Sequence, residues 1–156
     1  MHLDLSPTTA GTPRFWRDAQ LPFIEARSIE DGRKVCYSRH SHEVFSIGAI
    51  TSGQSTYLHE KTSQTISTGT VVLMNPGDVH ACNPIEDQPW SYIMLYVDAQ
   101  WLTSIQQACG VNEKQDLHPI GVTHTRSAEL FVGLIELYDV LTDPTLESLR
   151  KHEAAL

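Results

Sequence analysis

The sequence predicts an all-β sandwich or barrel followed by C-terminal α-helices. Three observations predict it. From Pro22 to Asp98, short apolar runs recur at roughly ten-residue spacing with turn residues between them, a rhythm that suits hairpins and not βαβ units. Inside those runs apolar and polar residues tend to alternate, as a strand with one buried face requires. After Asp98 the repeat lengthens to the three-and-four spacing of a helix.

The elements follow in order. Residues 1–13 are rich in Ser, Thr, Pro and Gly and read as a flexible arm. Residues 14–98 read as the barrel. Phe23 to Ile29 is its first run, and Asp31-Gly32 is a hairpin signal. Lys34 to Arg39 carries Val35 and Tyr37 on one parity. Phe45 to Thr51 alternates and breaks at Ser52-Gly53. Ser55 to His59 and Gln64 to Ile66 flank a polar turn. Gly69 opens the dense run Val71-Val72-Leu73-Met74, which Asn75-Pro76-Gly77-Asp78 closes. Val79 to Cys82 and Ser91 to Val97 bring the set to about eight strands.

Residues 99–156 read as a helical region. Asp98 caps a helix bearing Trp101, Leu102, Ile105 and Cys109, and Gly110 stops it. A polar loop runs to about Thr125. Ser127 caps a second helix with two apolar stripes: Leu130, Leu134, Leu137 and Leu141, and, one residue later, Phe131, Ile135 and Tyr138. Asp143-Pro144 ends it, and Thr145 to Leu156 is expected to form a short third helix.

Composition removes several function classes. A length of 156 residues suits one domain. The net charge is -8 and Lys and Arg do not cluster, so the chain is not expected to grip nucleic acid by itself. No apolar run approaches the roughly 18 residues that span a bilayer, and the N-terminal stretch lacks the pattern of a secretion signal. Cys36, Cys82 and Cys109 form neither a disulfide framework nor a zinc pattern. A cytoplasmic protein with reduced thiols and no membrane partner is expected.

His40, His42 and His80 are the residues that raise chemistry. His40 and His42 share a strand parity, and His80 follows a Pro-Gly turn. Imidazoles converging inside a barrel could hold a divalent metal. Glu43 sits on the opposite parity, and Val44, Ser46 and Gly48 supply no carboxylate on the histidine parity. The other reading is that these histidines hydrogen-bond backbone or a ligand.

Two stretches carry a resemblance. His40-Ser-His42 and the run from Gly69 through Pro76-Gly77-Asp78 to His80 resemble the cupin family. That resemblance implies a double-stranded β-helix, or jelly roll. Metal-binding cupins usually place a Glu four or five residues after the HxH pair, where this chain has Ser46 and Ile47. A narrower resemblance takes in RHSHEVFSIGAITSGQSTYL, STGTVVLMNPGDVHACNP and PWSYIMLYVDAQWL, which look like the N-terminal sensor domain of AraC-type transcriptional regulators.

The narrower resemblance implies a small-molecule effector inside the barrel and no enzymatic activity or required cofactor. It also implies a homodimer, with DNA contacted only through a helix-turn-helix domain absent from this chain. The inward parity of the last strand offers Tyr92 and Met94, expected to face His80 and Cys82 on an adjacent strand. With His40 and His42 they make the expected ligand-binding set. Leu130, Leu134, Leu137 and Leu141 are the expected dimer interface. The alternative is a small metal-dependent cupin enzyme using His40, His42 and His80.

Overall fold

One strand runs through both halves of the β structure. The computed structural model describes residues 14–31, 44–59, 61–78, 80–86 and 88–156, with the backbone only at 80, 82 and 84. The strands are β1 (Arg14–Trp16), β2 (Ile24–Ile29), β3 (Phe45–His59), β4 (Thr62–Ser67), β5 (Val71–Met74), β6 (His80–Pro84), β7 (Trp90–Val97) and β8 (His124–Thr125). The helices are α1 (Ala99–Ala108), α2 (Ala128–Thr142) and α3 (Ser148–Ala155). The run expected at Lys34 to Arg39 lies outside the described residues.

All the ladders are antiparallel. The first half of β3 lies between β7 and β5, within the order β1-β2-β7-β3-β5-β8. Its second half pairs with β4 and β6. The Ser52-Gly53 break expected from the sequence is therefore a bend within a continuous 15-residue strand. The register against β7 shifts between Ile50 and Ser52, and Gly53 takes φ +74°. A side chain there would also collide with the backbone of Trp90, whose Cα lies 2.8 Å from an added Cβ. Such a bulge turns a strand without ending it. Thr51 Oγ1 and Ser52 Oγ each lie 2.6 Å from Ser91 Oγ and pin the bend to β7.

Two further expectations change. The segment read as a polar loop re-enters the sheet as β8, where Val71 pairs with Thr125 and Val72 with His124. Its sequence has no strand pattern; a neighbouring edge supplies the partner. Arg126 fastens it by donating to Ser67 Oγ and Thr70 Oγ1, both at 3.0 Å. The strand β6 pairs with β3 and is not next to β7. His80 and Cys82 thus face Tyr92 and Met94 from no adjacent strand, because β6 pairs with the second half of β3 and β7 with its first half.

The larger sheet carries an apolar cluster on each face. One face carries Ala26, Phe45, Ala49, Val71, Ile93, Leu95 and Val97, and the helices cover it. The other carries Ile29, Ile50, Val72, Met74, Trp90, Tyr92 and Met94, joined by Tyr57 and Ile66 from the second half of β3 and from β4.

The expected caps are present. Asp98 Oδ2 accepts from Trp101 N at 2.8 Å, Ser127 Oγ accepts from Leu130 N at 3.2 Å, and Gly110 takes φ +76° after α1. Asp143 ends α2, and hydrogen bonds from the Thr145 side chain and backbone hold its carboxyl below the usual range.

The Leu stripe of α2 turns toward the sheet. Leu134 and Leu141 are buried in the helix-covered core, and Leu130 and Leu137 pack half-buried against it. The stripe expected to couple two copies is thus engaged within one. The apolar outer face of the sheet is the nearer partner, and a helix buries its widest stripe against it.

Gly48 lies on the inward face, where an added Cβ would sit 2.7 Å from both Ile93 O and Met94 Sδ. Replacing Gly48 with Ala should cost about 1–3 kcal/mol by overpacking, read as a lower melting temperature. An unchanged melting temperature would contradict the packing described.

Candidate functional site

The inward face is assembled by register. Glu25, Arg27 and Ile29 of β2 stand opposite Tyr96, Met94 and Tyr92 of β7, and these stand opposite Ser46, Gly48 and Ile50 of β3. At one end the face is packed. Trp90 stacks on Tyr92 with ring centroids 4.9 Å apart, and Tyr57, Met74 and Ile50 close around them. Tyr57 Oη donates to Leu73 O at 3.5 Å, a long bond.

Polar atoms are set among these apolar groups. Ser46 is fully buried, and its Oγ has no hydrogen-bond partner among the described residues; the same holds for Trp90 Nε1. An unmade bond at a buried donor or acceptor costs about 1–3 kcal/mol, so a guest that satisfies it gains that much.

Toward the other end the face opens. A cleft of about 360 Å³ lies where β1, β2 and the end of β7 meet, with Phe15, Glu25, Arg27, Val44, Tyr96 and Asp98 in its lining. Arg27 Nη1 donates to Tyr96 Oη at 3.3 Å. Its guanidinium carbon lies 5.6 Å from the centre of the Phe15 ring and 6.0 Å from that of Tyr92, within cation–π range. Glu25 is paired with Arg17 at 3.1 Å.

A second polar cluster lies on the second half of β3. His59 Nε2 is 2.9 Å from Asp78 Oδ2, which also accepts from Asn75 N at 3.0 Å and so braces the Asn75-Pro76-Gly77-Asp78 turn. Among the described residues no group of three His, Cys, Asp or Glu is placed to hold a metal ion.

The sequence-predicted residues fall unevenly. His40 and His42 lie outside the described residues. His80 stands opposite His59 in the β3–β6 ladder and Cys82 opposite Tyr57; the side chains of both lie outside the described residues. Tyr92 and Met94 are on the inward face, as their parity predicts, and are buried in its packed part. Arg27, Phe15, Ser46 and His59 were not anticipated. In the sequence Phe23 to Ile29 reads only as a short apolar-containing run. In β2, Ile24 and Ala26 are buried on one face, and Arg27 is half-buried on the other beside a partly exposed Glu25.

Comparison with known proteins gives the family. The model of the AraC-like ligand binding domain matches residues 24–155, so this chain belongs to the AraC-like ligand binding domain family. None of the curated proteins matches it. Solved structures similar to it include a cupin protein from Bacteroides fragilis, at 18% identity, 49% of this chain, 67% of that one and a TM-score of 0.45. An RmlC-like cupin from Methanocaldococcus jannaschii shows 13% identity over 57% of this chain and 83% of that one, with a TM-score of 0.48. The DMSP lyase DddQ from Ruegeria pomeroyi shows 23% identity over 47% and 36%, with a TM-score of 0.40. No helix among the described residues is long and apolar enough to cross a membrane.

Replacing Asp78 with Ala removes an acceptor from both the His59 ring and the Asn75 amide. A loss of about 1–3 kcal/mol is expected in denaturant unfolding. Unaltered stability would show that the brace contributes nothing.

Proposed function

We propose that this chain is the effector-sensing and dimerising part of an AraC-type transcriptional regulator, folded as a cupin-like double-stranded β-helix and not an enzyme. The observation that carries the reading is the family match across 24–155, which takes in strands and helices together. The inward face supports it: aromatic area, buried polar atoms and an adjoining cleft are what a small-molecule site needs. His40, His42, His80 and Cys82 remain proposed as further ligand contacts. DNA would be reached through a helix-turn-helix unit outside this chain.

The signal has a physical route. In β1, Phe15 lies beside Arg27, while the next residue, Trp16, packs on the helix side beneath Lys151 of α3, whose Nζ is 5.5 Å from the ring centre. Two residues on, Asp18 Oδ2 accepts from Ser148 Oγ at 3.0 Å. A guest that favours one position of β1 therefore biases α3. The bias can be no larger than the guest's difference in affinity for the two positions.

Dimerisation is assigned to the outer side of α2. Val132 is 51% exposed there, beside Gly133, Glu136 and Val140, while the Leu stripe faces inward. Changing Val132 and Val140 to Glu should leave a folded monomer by light scattering, whereas Leu134→Glu should unfold the chain. A persistent dimer in the Val variant would refute this face.

A thermal-shift screen tests the sensing role itself. A true effector raises the melting temperature with the logarithm of its excess over Kd, by about 2.7 kcal/mol of stability at a hundredfold excess. Stoichiometric metal in untagged protein, lost with His42→Ala, would favour a metal-dependent enzyme instead.

A further inference from the structure

We infer that the cleft between β1, β2 and the end of β7 binds a small carboxylic acid with an apolar body, and that Arg27 holds its carboxylate. The inference rests on the sensing role proposed above and specifies the ligand class.

Arg27 occupies an inward register position, opposite Met94, and its Nε is shut off from solvent. The fork is oriented before any guest arrives: Tyr96 Oη accepts from Nη1, and the rings of Phe15 and Tyr92 lie within 6.0 Å of the guanidinium carbon. A planar, oriented fork matches the two oxygens of a carboxylate, and the bonds gain from being charge-assisted.

The two carboxylates in the cleft's lining are engaged elsewhere. Glu25 pairs with Arg17, and Asp98 caps α1 through Trp101 N. They nevertheless set a limit on charge. A dianion such as a phosphate ester would meet both of them, in a chain whose net charge is -8. A single negative charge suits the balance better. Among the lining residues, the ring of Phe15 and the Val44 side chain are apolar and give the acid's body a surface. A volume of about 360 Å³ is at the small end for ligand sites.

The test uses matched acid and amide pairs on the whole chain at neutral pH: benzoate against benzamide and hexanoate against hexanamide, with a panel of neutral sugars alongside. The acids should raise the melting temperature and bind about tenfold or more tighter than their amides. Arg27→Gln should erase that preference, and Arg27→Lys should restore part of it. The acid–amide comparison in the unaltered chain stands even if a variant misfolds. Amides binding as tightly as acids, or a neutral sugar shifting the melting temperature where no acid does, would overturn the carboxylate assignment and leave the sensing role intact. Silence from the acids as well as the amides would likewise overturn the carboxylate assignment.

Discussion

An apolar cluster on each face of the larger sheet is the constraint on which the rest of the structure depends. Side chains alternate across a strand, so a sheet with an apolar cluster on each face sorts the buried residues of β2, β3, β5 and β7 into two cores. In β7, Ile93, Leu95 and Val97 go under the helices, while Trp90, Tyr92 and Met94 go to the inward face. A slip of one residue would exchange the two sets, placing aromatic rings under α2 and aliphatic groups around the site. The bend at Ser52-Gly53 lets one strand take part in both halves without losing that sorting. The site is therefore a by-product of register, with no separate element built to hold it.

The same alternation joins the site to the helices. Phe15 and Trp16 are neighbours in sequence and lie on opposite faces of the sheet. Strand β1 is three residues long, pairs with β2, and sits at the end of the sheet. Short edge strands with little buried area are the parts of a fold that move at low cost. A rigid strand in the middle of the sheet could not carry such a signal, because shifting it would break ladders on both sides.

Much of the fold was legible. The apolar runs at β2, β5 and β7, the turn at Asn75 to Asp78, and the caps Asp98 and Ser127 all depend on neighbours in sequence, and the structure has them where the residue pattern predicts. Three features were not legible. The β8 ladder depends on an edge offered by β5, far away in sequence. The orientation of α2 depends on which surface lay nearest its Leu stripe. The position of Arg27 depends on β2 pairing with β7. In each case the deciding partner comes from another part of the chain.

By itself, then, the sequence determined which segments become strands and helices, where they stop, and which residues share a face, because these follow from backbone geometry and local hydrogen bonding. Only the tertiary structure decided which face is inside, which strand lies beside which, and that an arginine closes on two aromatic rings in a cleft. Those outcomes are contacts between residues distant in the chain, and no local period encodes them.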